Sequence, residues 1–206
     1  MAEGLRWVSE ACPFGFSLVF CAHFAPEEVL VRLGARRETP YPLTRLRARD
    51  IEVRNAADEP WDLDHLEDLE VAAVEALGFL RPETDAVVRA GSARGGAYAI
   101  QASLSYVSAR NHRPALSRGT RVIAVGPDVN ATRRVDYAVD GRVLSSFDPG
   151  IPAHGDGVEP SALARPSDGG GMTSPQVLEY PESRFGLWVP KDPGGRRLPA
   201  AGLSTR

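Results

Sequence analysis

Sulfur, lysine and long apolar runs are all scarce in this 206-residue chain. Two cysteines, Cys12 and Cys21, are too few for a disulfide scaffold and read as reduced thiols in a reducing compartment. Lys191 is the single lysine, so arginine supplies the other basic residues. Alanine, glycine and proline are abundant too, and the pattern reads as GC-rich codon usage rather than a selected arginine surface. No apolar stretch approaches the roughly 18 residues of a membrane span. The longest, from Ala11 to Phe24, is interrupted by Pro13, Gly15, Ser17 and His23 and follows Glu3, Arg6 and Glu10. A secretion signal is therefore not read there. The net charge of -3 argues against a dedicated nucleic-acid binder. With 43% hydrophobic and 25% charged residues, the chain is expected to form a soluble, cytoplasmic globular domain without an internal repeat.

Glycine and proline divide the sequence. They make up 12% of residues 1–147 and 32% of residues 148–206. Each proline removes a backbone donor and each glycine raises the entropy cost of ordering. The expected organisation is a single domain over residues 5–165 followed by a loosely ordered tail over 166–206, with Phe185–Val189 as an apolar island that docks back.

Phe14–Phe24 has the length and composition of a buried strand. Pro26, Glu27 and Glu28 open a short helix that Gly34 closes. Residues 35–55 read as an arginine-dotted loop with one short strand. Leu63, Leu66, Leu69, Ala73, Val74 and Leu77 recur at steps of three and four, the period of a helix over Asp62–Leu77. Hairpins are expected around Gly91–Gly96 and at Asp140-Gly141, the latter setting Tyr137 opposite Leu144 and Ala138 opposite Val143. Arg113-Pro114 opens another short helix. The predicted fold is α+β: a mostly antiparallel sheet of about five or six strands, covered on one side by two or three helices.

Reactive constellations are thin. Cys12, Cys21 and His23 form the one cluster of soft ligands, but a zinc site needs a second close pair, and no metal or cofactor is expected. The Gly91–Gly96 loop lacks the Gly-Lys-Ser/Thr ending of a phosphate loop. His112 lies beside Arg110, Asn111 and Arg113, with Asp128 and Asp148 further on. A histidine meeting a carboxylate in a cleft could carry hydrolase-type acid–base chemistry. The serines show no nucleophile elbow, and His154-Gly-Asp156 reads as a solvated turn.

Charge is more unevenly spread than reactivity. Residues 62–85 hold eight acids against one arginine, and residues 32–54 hold seven arginines against three acids. The two segments either face each other as solvated surfaces or leave the acidic helix open to a basic partner. On the second reading Asp64, Glu67, Asp68, Glu70 and Glu75 are the contact residues. Nucleic-acid contact through Arg32, Arg36, Arg37, Arg45, Arg47 and Arg49 ranks third, because aromatic interleaving is missing.

The blocks Phe14-Gly-Phe-Ser-Leu-Val-Phe20, Pro26-Glu-Glu-Val-Leu-Val-Arg-Leu-Gly34, Leu116-Ser-Arg-Gly-Thr-Arg121, Asp128-Val-Asn130, Tyr137-Ala-Val-Asp-Gly141 and Ser146-Phe-Asp-Pro149 occur in order. Together they resemble an actinobacterial family catalogued as a domain of unknown function. The resemblance implies an intracellular bacterial protein and one domain ending near Leu163, and it carries over no activity. It departs at Ala97-Tyr98, where a tryptophan is expected, and after Ser161, where a helical ending is. The functional expectation is a non-enzymatic cytoplasmic domain that binds a basic protein partner, in one version immunity- or antitoxin-like. The hydrolase centred on His112 is the alternative.

Overall fold

The computed structural model describes residues 4–12, 15–38, 40–56, 71–81, 83–84, 86–102, 112–127, 133–163, 171–192 and 194–204, with residues 127, 152–154 and 174 described by backbone alone. Six helices are found among these: α1 (Arg6–Ala11), α2 (Pro26–Arg32), α3 (Arg45–Ala56), α4 (Val71–Ala76), α5 (Arg113–Ser117) and α6 (Ser174–Phe185). The strands are β1 (Ser17–Ala22), β2 (Tyr41–Leu43), β3 (Ala86–Ala93), β4 (Gly96–Gln101), β5 (Arg121–Pro127), β6 (Arg133–Val139), β7 (Arg142–Asp148), β8 (Ile151–Asp156) and β9 (Leu198–Leu203).

All nine strands join one sheet in the order β2-β9-β3-β4-β1-β5-β6-β7-β8, and every pairing is antiparallel. This corrects the expectation of five or six strands covered by helices on one side. Successive strand residues point to opposite faces, and β1 is buried at all six positions, so both faces of the sheet are covered. Val19 and Cys21 join Val29, Leu30 and Leu33 of α2 and Leu116 of α5. Leu18 and Phe20 join Trp7 and Val8 of α1 and Val177 and Leu178 of α6. A third cluster sets Ala48 and Ile51 of α3 and Val74 of α4 against Val87 and Ala200.

Two turns required glycine. In the β6–β7 turn, Asp140 and Gly141 adopt φ of 52° and 80°, the paired positive values of a type I′ hairpin. Ala138 faces Val143 as expected, but a bulge sets Tyr137 opposite Ser145 instead of Leu144. At the start of β4, a β-carbon on Gly96 would collide with the carbonyl oxygen of Cys21 on β1.

Two segments differ from their sequence reading. Residues 35–55 hold α3, twelve residues long, as well as β2. The helix escaped periodicity because its apolar residues do not share a face: Ala48 and Ile51 are buried, whereas Leu46 and Val53 are 60% and 48% exposed. The segment expected to be a loosely ordered tail supplies α6, with a Thr173–Gln176 capping box, and β9, which lies between β2 and β3. Leu198, Ala200, Ala201 and Leu203 are buried there; glycine and proline content raises an average ordering cost without excluding a short well-packed strand. Of the helix expected over Asp62–Leu77, only its last turns as α4 fall within the described residues.

Candidate functional site

α1 and α3 cover the same face of the sheet in separate apolar clusters, and a narrow crevice, partly open to solvent and with a volume of about 10 Å³, room for one water, runs along their seam. α3 presents Arg45, Ala48, Arg49 and Glu52 to it, the i, i+3, i+4, i+7 face of a helix. Trp7 and Cys12 close one end, Val87, Arg89 and Ile100 form the sheet floor, and Asp192 arrives from the segment before β9.

Arg89 and Asp192 form a buried ion pair, Nη1 to Oδ2 at 2.7 Å. The remaining Arg89 donors reach the carbonyl oxygens of Leu43 at 3.1 Å and Arg196 at 2.9 Å. Asp192 Oδ1 accepts the Gly194 N–H at 2.9 Å. Glu52 Oε1 accepts from the Val87 N–H at 2.9 Å and Gln101 Nε2 at 3.0 Å. The Trp7 indole N–H donates to the Val189 carbonyl at 3.2 Å. These groups clamp the helices and the β9 segment to the sheet.

Arg45 is differently placed. Its Nη1 donates to the Ala11 carbonyl at the end of α1, and its guanidinium approaches the Cys12 thiol. Its Nε is buried without an acceptor among the described residues. Burial pushes the Cys12 thiol up, while the Arg45 charge opposes that rise. Cys21, on the opposite face, is desolvated more completely and pushed up to about 12.

The second polar cluster is structural. Arg113 of α5 meets Asp136 of β6, Nη2 to Oδ2 at 2.5 Å, both nearly inaccessible to water. Ser146 donates to Asp136 Oδ1 and accepts from Arg134 Nε at 2.9 Å, and Arg134 continues to Asp156 at 3.1 Å. Burial pushes the Asp136 carboxyl up, against the pull of Arg113, the Ser146 hydrogen bond and Arg134. The expected solvated turn at His154-Gly-Asp156 lies within β8, at the edge of this network.

Two of the three hydrolase candidates fall within the described residues. His112 precedes α5, half-buried, and burial lowers its pKa. Asp148 accepts the N–H of Gly150 at 2.7 Å, a turn-forming role, and Asp128 lies outside the described residues. The imidazole has its own test. A histidine with a lowered folded pKa binds protons more tightly when unfolded. Its contribution is intact above the ordinary value of 6.5 and is lost as pH falls below it. The urea midpoint of the native chain is expected to fall further between pH 7 and 5.5 than that of His112→Gln. Parallel curves would remove the imidazole from acid sensitivity.

Cys12 lies in the cleft, Cys21 beneath α2, and His23 beyond β1 with a φ of 62°, so the expected shared strand face of Cys21 and His23 does not form. No group of three metal-ligating side chains occurs among the described residues. Of the acidic contact candidates, Glu75 stands exposed on α4, while Asp64, Glu67, Asp68 and Glu70 lie outside the described residues. In the arginine segment, Arg32 lies 4.1 Å from the Phe24 ring centroid and donates to the Ala115 and Arg118 carbonyls. No helix among the described residues is long and apolar enough to cross a membrane. Sequence reading missed Arg89, Asp192 and Asp136 altogether, because partners this distant along the chain leave no local spacing. Arg45 was counted only as one surface charge among several.

A family model described as a family of unknown function (DUF6461) matches residues 3–174. No curated protein and no solved structure matches the chain.

Proposed function

Because the chain belongs to that family, for which no activity is established, we propose from its surface that it is a non-enzymatic, cytoplasmic protein-binding domain whose partner seats on α3. The observation that carries this reading is the pair Leu46 and Val53. They lie two turns apart on one outward stripe of α3, while the helix's inner face is already packed by Ala48 and Ile51. Apolar residues repeated at this spacing are how a helix docks into a partner's groove. α3 also holds four arginines against Asp50 and Glu52, which favours a groove rimmed with carboxylates.

This redirects the expected contact from the acidic helix to the basic one. The earlier version, a basic partner on the acidic segment, differs in its test. Immobilised full-length chain is expected to retain a defined partner from native lysate. A Leu46→Asp/Val53→Asp variant should lose it, and Glu75→Lys should keep it. Retention by the α3 variant with loss in Glu75→Lys would favour the basic partner. Equal retention by all three would remove both surfaces.

A further inference from the structure

Three turns meet at one end of the sheet, where β1, β3 and β6 finish and β4, β5 and β7 begin. Hydrogen bonds join them into one surface. The Gly95 carbonyl of the β3–β4 turn accepts the His23 N–H at 2.9 Å, and the Ala22 carbonyl accepts the Thr120 hydroxyl at 2.6 Å. The Gly119 N–H donates to Asp140 Oδ1 at 2.9 Å and the Gly141 N–H to Ser117 Oγ at 3.0 Å, which fastens the α5–β5 connection to the β6–β7 hairpin. At about 4.8 Å per strand, this end extends for about 20 Å from the β3–β4 turn to β7.

Each turn carries exposed arginine: Arg94 in the first, Arg118 and Arg121 around the second, and Arg142 beside the third. Arg121 and Arg142 flank Val139 in register, so their side chains leave the same face of the sheet. Several other arginines are engaged inside the fold: Arg32 by two carbonyls, Arg89 by Asp192 and Arg113 by Asp136. The four arginines at the turns have no ion-pair partner among the described residues. Asp140 is the one acid within the three turns, and its carboxylate is taken by the Gly119 N–H. This end is therefore basic on a chain whose net charge is -3.

We propose that this end of the sheet is a second interaction surface, separate from the outward stripe of α3, and that it receives an acidic segment of a protein partner. Guanidinium groups meet carboxylates through paired N–H donors. Turns already fastened to one another lose little freedom on docking. A length of about 20 Å matches about six residues of extended chain. Single-stranded nucleic acid also carries negative charge, but it adds stacking on exposed aromatic rings. The rings at this end are already covered: Phe24 lies beneath Arg32, and Tyr137 stacks on Phe185 with centroids 5.4 Å apart.

The test measures fluorescence anisotropy of fluorescein-labelled octaglutamate against the full-length chain, in about 50 mM salt so that screening is modest. Octaglutamate is expected to bind, and a glycine–serine peptide of the same length is not. Arg121→Glu/Arg142→Glu should weaken binding at least about tenfold. Arg121→Gln/Arg142→Gln, which removes the charges without reversing them, should weaken it about fivefold, and it decides the matter if the reversed pair does not fold. Arg49→Glu/Arg81→Glu changes the net charge as much as the first pair, on α3 and after α4, and should shift binding by no more than about twofold. No binding beyond the glycine–serine peptide overturns the surface. Equal losses in the two glutamate pairs overturn it as well, because binding then follows net charge, and so does a loss confined to the Arg49 pair. Tighter binding of labelled dodecathymidylate than of octaglutamate, lost in the Arg121 pair, overturns the protein partner in favour of nucleic acid.

Discussion

Ending the chain at Phe185 is expected to abolish cooperative folding, although every removed residue lies in the part richest in glycine and proline. Truncation withdraws β9 from between β2 and β3, leaving β2 without its only strand partner and β3 as a raw edge. It also removes Leu187, Val189, Leu198 and Leu203 from the core. At about 1.5–3 kcal/mol for each buried aliphatic side chain, the loss is about 6–12 kcal/mol. That rivals the whole stability of a typical domain, about 5–15 kcal/mol. Arg89 would meanwhile lose Asp192 and stay buried as a lone cation. Circular dichroism should show no sigmoidal melt, whereas removing only residues 205–206 should leave the melt unchanged. A cooperative transition within a few degrees of the native one would mean that β9 is dispensable.

Asp136→Asn is expected to be the most damaging of the isosteric substitutions. The asparagine fills the same space, so no cavity forms, but the Arg113 guanidinium keeps its charge in a nearly dry site. Removing one partner of a buried ion pair costs about 3–5 kcal/mol. The Ser146 hydroxyl also exchanges a charged acceptor for a neutral one. Replacing both ends, as Arg113→Met/Asp136→Leu, should recover much of the loss, because the expense lies in an unmatched charge and not in the missing contact. Urea unfolding of Arg113→Met, Asp136→Leu and the double variant makes this a double-mutant cycle. A deficit in the double variant equal to the sum of the singles would show that the pair is not coupled.

What could be read in advance depended on how local the physics was. The strand in Phe14–Phe24, the helix opened by Pro26, the helix after Arg113 and the Asp140-Gly141 hairpin rest on steric and capping preferences expressed within a few residues. Their structural counterparts are β1, α2, α5 and the β6–β7 turn. α3 was hidden because arginine is a good helix former that leaves no apolar stripe, and Leu46 and Val53 point away from the residues that pack. The Tyr137 register failed by one residue because a bulge is a property of two strands together.

The candidate cleft shows the same division. Trp7, Cys12, Arg45, Arg89 and Asp192 carry no common spacing, and the sheet order β2-β9-β3-β4 together with α1 and α3 above it puts them in one place. Composition and local pattern by themselves determined where several strands, short helices and one hairpin turn lie, since turn geometry and capping act over neighbouring residues. The number of strands, the central place of β9 and the meeting of Arg45 with Cys12 were decided only by tertiary structure, because long-range pairing and charge desolvation depend on which distant segments share a face.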